Sequence, residues 1–262
     1  MRDRKNKIVI ISGASSGIGK ELCRLYSAAG DTVIGLSRSA ADECGAEHIK
    51  CDVTDFAATA AVVADIAARY GRIDTVIANA GGGLSGATEL LPLEDIERQI
   101  SLNFTGALEL VRCALAFMQS GGNAVFISSA CALFALPYRA MYCASKAAVN
   151  MAAYGLYMEL KRHGIRVSSI CPGDIKTNFT ANRVKYADGG ARYGSEPLLS
   201  AQKIDGREHK RMELKPAAKK IYKCCVKSKK PLYIIGFKYK ALNVLRRILP
   251  QKLFLDVTAK LF

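Results

Sequence analysis

Tryptophan is absent from this chain of 262 residues, and histidine occurs only three times. His48, His163 and His209 share no ligand-like spacing with one another or with cysteine, so the pattern offers no metal site. The nine cysteines include one adjacent pair, Cys224 and Cys225, but no Cys-x-x-Cys. Their odd number and scattered positions argue for free thiols in a reducing compartment. Met1 to Lys7 is too charged for an apolar export segment, and a strand pattern follows at once, so a cytoplasmic location is expected. No stretch reaches the roughly 18 uninterrupted apolar residues that a membrane-spanning helix needs. Acidic residues are scarce: 23 Asp and Glu face 38 Lys and Arg, for a net charge of +15. The imbalance sits late in the chain, where residues 203–262 hold 17 Lys and Arg against 4 Asp and Glu. No recognition motif or aromatic platform accompanies that charge, so nucleic acid is not the expected partner.

What the chain does have is alternation. Residues 7–12 form an apolar run that stops at Gly13, and 17–29 carry helix formers with apolar spacing. Strand-like runs recur at 32–36, 47–51, 74–78, 123–128, 165–171 and 231–237. Helical patterns occupy 55–70, 94–119, 140–163 and 216–229. Half of the residues are hydrophobic, enough for a sizeable core, and 262 residues with no repeats or low-complexity linkers fit one large domain. Near-continuous apolar strands between helices imply a single-domain, Rossmann-type α/β fold: a doubly wound parallel sheet with helices on both faces. Residues 174–210 are polar and read as a long loop, suited to a lid over a substrate. Residues 239–262 read as a basic and apolar helical extension.

Between the first strand and the first helix runs Ser12-Gly13-Ala14-Ser15-Ser16-Gly17-Ile18-Gly19. Glycines there permit a tight turn and a close approach of backbone to a pyrophosphate, and the helix N-terminus offers unpaired N–H groups and a favourable dipole. The string is weak alone and gains weight from its place between strand and helix. At the end of the second strand an acid would grip a ribose hydroxyl and favour NADH, whereas arginine accepts a 2′-phosphate. This chain has Ser37-Arg38-Ser39 and no acid, so NADPH is expected over NADH. The other reading of Arg38 is a solvated surface arginine. Asp52 and Val53, closing the third strand, can bracket an adenine; Asp52 can equally serve the start of the next helix.

Tyr142 and Lys146 stand four residues apart on a helical pattern, which puts them on one face. A phenol with a reference pKa of about 10 is a poor acid–base group near neutrality. An ammonium one turn away stabilises the phenolate and draws that pKa toward working pH. In a chain with 11 tyrosines the spacing means little by itself. Its context carries the weight. Ser129 lies thirteen residues upstream, at the end of a strand, where its hydroxyl can meet the phenol. Asn103 sits in mid-helix, where asparagine is a mediocre former and a polar role facing the site explains it. Asn79-Ala80-Gly81 follows the fourth strand, at the carboxyl edge where open α/β sheets bind ligands.

Together these motifs resemble the short-chain dehydrogenase/reductase family, in the family's order, over residues 7–177. The resemblance implies hydride exchange between a nicotinamide and a carbonyl/alcohol pair. It implies that Tyr142 passes the proton to or from the substrate oxygen and that Ser129 polarises that oxygen. Lys146 would lower the tyrosine pKa and bond the nicotinamide ribose, and Asn103 would hold a water linking Lys146 to solvent. Pro172 and Gly173, followed by Ile175 and Thr177, would meet the nicotinamide carboxamide. Ser12 stands where the family commonly has Thr, Ala78 where it has Asn, and Ala132 where Gly often follows the serine; none of these removes a reacting group. Family members commonly associate through the helices at 94–119 and 140–163, so a homodimer or homotetramer is expected.

Residues 130–138, between Ser129 and Tyr142, are mostly apolar, and the family lines its substrate pocket there. A hydrophobic carbonyl or alcohol, such as a steroid, bile acid, retinoid or lipid, is the expected partner; core packing is the alternative for that segment. In the tail, Leu242, Leu245 and Leu249 fall at helical spacing among Lys240, Arg246 and Arg247. Such a helix can lie on an anionic bilayer or pack on the body or a partner subunit. Two further functional readings are a 3-oxoacyl-thioester reductase whose basic C-terminal quarter docks an acidic carrier, and a non-catalytic NADPH sensor.

Overall fold

All seven strand-like runs become strands of one parallel sheet in the computed structural model, which describes residues 6–39, 44–206 and 211–261. The charged first five residues and His209 lie outside these. In chain order the strands are β1 (Ile8–Ser12), β2 (Thr32–Ser37), β3 (Glu47–Lys50), β4 (Thr75–Ala78), β5 (Leu84–Ser85), β6 (Asn123–Ile127), β7 (Arg166–Pro172), β8 (Val184–Lys185) and β9 (Leu232–Ile235). The sheet runs β3-β2-β1-β4-β6-β7-β9, and β5 pairs with β8 as a separate two-stranded ribbon. The helices are α1 (Gly17–Ser27), α2 (Phe56–Tyr70), α3 (Leu93–Ile100), α4 (Gly106–Leu115), α5 (Ala140–Leu160), α6 (Gly190–Tyr193), α7 (Glu196–Asp205), α8 (Leu214–Lys227), α9 (Phe237–Ile248) and α10 (Gln251–Leu261).

The unbroken apolar strands follow from burial on both faces. Ile8 and Ile10 enter one core with Val63 and Ile66 of α2, Leu110 of α4 and Val149 of α5. Val9 and Ile11, with the opposite pleat, enter the other, with Leu22 of α1 and Ile221 of α8. Val125 and Phe126 divide in the same way. The chain leaves β1 toward β2 and β3, then returns to the other side of β1 at β4. That reversal opens a crevice at the carboxyl edge between β1 and β4, the switch point where such sheets take ligands.

Three expectations need correction. The helix expected over 94–119 is broken: α3 passes through a π-helical turn, Ser101–Thr105, into α4. Gly106 sits there so close to Val53 that a Cβ would lie 2.7 Å from its carbonyl oxygen. The polar segment 174–210 is not one loop. It holds β8, α6 and α7, with Pro197 in the first turn of α7 and β8 fixed by pairing to β5. Finally, most of 130–138 packs away from the site: Leu133, Phe134 and Leu136 form a third core with Tyr239, Leu242 and Phe254. Leu245 and Leu249 pack against the same cluster, so the apolar face read in the tail is spent on the body.

Candidate active site

The glycine turn is shaped by close contacts. Gly13 and Gly17 have φ of +66° and +54°, the left-handed region that glycine enters without penalty. A Cβ on Gly19 would lie 2.1 Å from the Gly13 carbonyl oxygen, so only glycine lets α1 start beneath the turn. Ser12 fastens this turn to the end of β4: its Oγ accepts hydrogen bonds from the backbone N–H groups of Asn79 and Ala80, both at 3.0 Å. The Asn79 amide donates to the Ser12 carbonyl at 2.9 Å and to Gly13 at 3.3 Å. The first turn of α1 carries no acid, leaving its positive end uncompensated by side chains.

A cleft of about 750 Å³ begins at this turn and ends on α5. Gly13, Ser15, Ser16, Gly17, Ile18, Ser37, Arg38, Ser39, Asp52 and Val53 line one side. Asn79, Ala80, Gly81, Ser129, Tyr142, Lys146, Pro172, Gly173, Ile175 and Thr177 line the other. Of the expected site residues, only Gly19 and Asn103 lie behind the wall. At the β2 end, Ser37 is buried, with its hydroxyl donating to the Ser39 carbonyl at 2.7 Å and 2.6 Å from His48 Nε2. Arg38 and Ser39 are exposed at the rim. Asp52 accepts from the Thr54 N–H and hydroxyl at 2.9 and 2.8 Å, while Asp55 caps α2 through the Ala58 N–H. Asp55 rather than Asp52 is thus the helix cap, while Asp52 and Val53 line the cleft.

At the α5 end the polar groups are buried and connected. Lys146 donates through Nζ to the Ile127 carbonyl at 3.1 Å, and burial pulls its pKa down to about 8. Gly81 fits between two of these groups: a Cβ there would stand 3.0 Å from Asn103 Oδ1 and 3.2 Å from Lys146 Nζ. Asn103, wholly buried in the π-helical turn, accepts from the Gly82 N–H at 2.8 Å and donates to the Gly82 carbonyl at 3.0 Å and Ser145 Oγ at 3.1 Å. These bonds hold the loop after β4 against α5. The π-helical turn is the local device that aims Asn103 inward.

The Tyr142 phenol is held above its ordinary pKa, first by burial and then by the neighbouring Cys131; the Ser129 hydrogen bond and the Arg139 charge oppose this. Ser129 thus meets the phenol as the spacing required. Lys146 shares the buried cluster: it is itself desolvated, and its Nζ is turned to the Ile127 carbonyl. Cys131, hydrogen-bonded to Cys143 and close to Arg139, has its pKa lowered to about 6. Cys131 of the apolar segment and Asp174, Phe179 and Arg183 of the expected lid also line the cleft, as does Arg139, which was not anticipated. Arg139, three residues before Tyr142, had a readable helical spacing; Arg183 had none, since the β5–β8 pairing brings it in from afar.

A glycine-lined turn at the switch point of a doubly wound sheet, facing a buried Ser–Tyr–Lys group across one cleft, defines a dinucleotide-dependent oxidoreductase. The family model described as short chain dehydrogenase matches residues 7–187, and the chain belongs to that family. The chain is similar to a 3-ketodihydrosphingosine reductase from Bacteroides thetaiotaomicron, at 36% identity over 78% of this chain and 77% of that protein. It is 32% identical to the rat protein named dehydrogenase/reductase SDR family member 7B, over 97% of this chain and 81% of the relative. A 3beta-hydroxysteroid dehydrogenase 1 from Eggerthella lenta is 32% identical over 75% of this chain and 80% of its own length. The crystal structure of a short-chain dehydrogenase from Streptomyces avermitilis superposes with a TM-score of 0.84 at 28% identity, covering 97% of this chain and 96% of that one.

Proposed function

We propose that the protein reduces a ketone or aldehyde on a lipid- or steroid-type substrate with NADPH, and that Tyr142 is the proton donor. The observation that carries this reading is the convergence of Ser129, Tyr142 and Lys146 on the cleft that starts at the glycine turn. The turn fits a dinucleotide: its glycines admit a pyrophosphate against the backbone, and the exposed Arg38 in the cleft lining, with no acid at that strand end, supports NADPH. When bound, the nicotinamide supplies the hydride. The chain's own groups do the rest. Ser129 and Tyr142 hydrogen-bond the carbonyl oxygen, and the phenol passes its proton to that oxygen as the alkoxide develops. A phenol kept protonated by burial suits reduction at neutral pH, whereas oxidation needs alkaline conditions to unload it. Lys146 offers an ammonium on the same face of α5, and Asn103 positions the loop that frames it.

The apolar part of the substrate finds Leu84, Leu102, Phe179 and Val184 along the cleft, in place of the segment first expected. The names of the sphingoid and steroid relatives support a substrate of that class. NADPH and NADH consumption over a panel of lipid, steroid and small polar ketones tests the reading. Faster turnover of lipid or steroid ketones with NADPH is expected; equal turnover of small polar ketones removes the substrate class, and NADH preference removes the role of Arg38.

We also propose two surfaces. The outer face of α9 leaves Phe237 87%, Val244 55% and Ile248 72% exposed beside Lys240 and Arg247, so a peripheral contact with an anionic membrane rests on these residues rather than on the inward leucines. Among the described residues no helix is long and apolar enough to cross a bilayer. Loss of flotation with acidic liposomes on changing Phe237 and Ile248 to Ser is the expected result. On α5, Met151 and Met158 are exposed seven residues apart, which fits a homodimer or homotetramer face. Met151→Asp with Met158→Asp should shift the mass measured by light scattering to a monomer. The nine free thiols fit a reducing, cytoplasmic setting.

A further inference from the structure

Two arginines that this chemistry does not use are buried in the cleft wall. Arg139 is 8% and Arg183 7% exposed. Arg139 immediately precedes α5, with its guanidinium carbon 5.8 Å from the centre of the Tyr142 ring. Arg183 immediately precedes β8 and lies across Gly83, where a Cβ would meet its Cγ at 3.1 Å and its Nε at 3.3 Å. Arg139 Nε and Arg183 Nε and Nη1 are buried with no hydrogen-bond partner among the described residues.

Buried guanidinium donors without acceptors are costly, and two like charges near each other cost more. Burial, then the charge of Arg139, pulls the Arg183 pKa down to about 10. The nearby acidic groups act on the pair through charge, but their hydrogen bonds go elsewhere. Asp174 accepts from the Tyr239 phenol. Asp205 accepts from Lys185 at 2.7 Å through Oδ2, although its Oδ1 is buried without a partner. Cys131 is hydrogen-bonded to Cys143. Arg211, also in the wall, is unlike the pair: it donates to Thr180 Oγ1 at 3.0 Å and to the Ile204 carbonyl at 3.1 Å.

We infer that Arg139 and Arg183 form an anion subsite beside Tyr142, and that the carbonyl substrate carries a carboxylate or phosphate held there. The inference rests on the proposed carbonyl reduction and names the polar end of its substrate. A guanidinium presents parallel N–H groups that match the two oxygens of either anion. With Arg139 beside the phenol ring, the anion lies a few atoms from the reacting carbonyl, and the apolar remainder runs toward Leu84, Phe179 and Val184. The substrate is then an amphiphile with its charged end inward.

The test uses matched probes: levulinate against methyl levulinate for a carboxylate, and hydroxyacetone phosphate against hydroxyacetone for a phosphate. Wild type, Arg183→Met and Arg183→Lys are compared by kcat/KM with NADPH, by the melting shift that levulinate or inorganic phosphate produces, and by NADPH affinity without substrate. The preference for a charged probe over its neutral partner should fall roughly tenfold to a hundredfold in Arg183→Met, with Arg183→Lys between. The pair that responds identifies the anion. Levulinate or phosphate should raise the melting temperature of wild type but not of Arg183→Met, which should itself melt no lower than wild type because an unpaired buried charge has gone. An unchanged preference together with unchanged melting shifts overturns the subsite. So does a lower-melting Arg183→Met without anion response, which would make Arg183 a structural partner of Asp205, or weakened NADPH binding in that variant, which would assign Arg183 to the cofactor. If wild type turns over no probe yet shows an Arg183-dependent anion shift, the subsite stands and the reductase reading falls.

Discussion

Lys146→Met should make the cofactor-free protein more stable while removing its activity. The side chain is buried with a pKa of about 8, against a reference value of 10.5. At 1.36 kcal/mol per unit, that depression means an ammonium held in the fold at a cost of about 3 kcal/mol. Methionine fills similar space and forfeits the hydrogen bond to the Ile127 carbonyl, returning about 1 kcal/mol, so a net gain of about 2 kcal/mol is expected near neutral pH. The direction with pH is fixed by linkage. Between about pH 8 and 10.5 the unfolded chain binds the lysine proton and the folded protein has released it, so stability of the wild type rises with pH over that window. The cost is therefore full below about pH 8 and fades toward pH 10.5. Urea unfolding at neutral pH and near pH 10 measures both: the advantage of the variant should be largest at neutrality and shrink in alkali. A variant less stable than wild type at neutral pH, or an advantage that does not change with pH, would refute the reasoning. The same titration predicts that kcat/KM for reduction declines above about pH 8 as the ammonium is lost.

Gly19→Ala should weaken NADPH binding at least tenfold in a fluorescence titration and cost about 1–3 kcal/mol of stability, although alanine is the better helix former; its Cβ would lie 2.1 Å from the Gly13 carbonyl oxygen and 2.6 Å from the Asn79 amide nitrogen. A neutral or stabilising change would show that the turn is looser than these contacts require. Phe254→Ala should cost about 3–5 kcal/mol in chemical denaturation, since the ring is buried against Phe134 and the third core; a loss below about 1 kcal/mol would detach α10 from the body. Cys131, lowered to about pKa 6 by the Cys143 hydrogen bond and Arg139, should be the first of the nine thiols alkylated by iodoacetamide at neutral pH, and its rate should drop as pH falls below about 6. Equal labelling of Cys113 or Cys224 would contradict that.

Legibility in the sequence followed the range of the interactions. The strands were readable because burial on both faces leaves an apolar run in the chain itself, as in Ile8 to Ile11. The glycine turn and the Ser129–Tyr142–Lys146 spacing were readable because each is local or tied to one helix face. The break in the helix at Asn103 was not, since a π-helical turn changes the hydrogen-bond register without changing composition. Nor was the fate of Leu133, Phe134 and Leu136: an apolar segment beside a site reads as pocket lining until α9 and α10 are seen to cover it. That covering also means that truncation after Phe237 would strip Tyr239, Leu242 and Phe254 from the core. Membrane contact is therefore better probed by substitutions on the outer face. The lid was expected over 174–210, but the burial of Arg183 in the cleft wall was not readable, for a similar reason. Its position depends on a two-residue pairing, Leu84 with Val184 and Ser85 with Lys185, that spans a hundred residues of sequence.

The account turns on a proton leaving the Tyr142 oxygen for a carbonyl held beside Ser129. Comparing Tyr142→Phe with wild type, for NADPH affinity by fluorescence and for single-turnover reduction of the best ketone found, addresses it most directly. Cofactor binding within about threefold of wild type and a rate lower by about a thousandfold are expected, in keeping with loss of a general acid. Reduction at near wild-type speed by that variant would contradict the account.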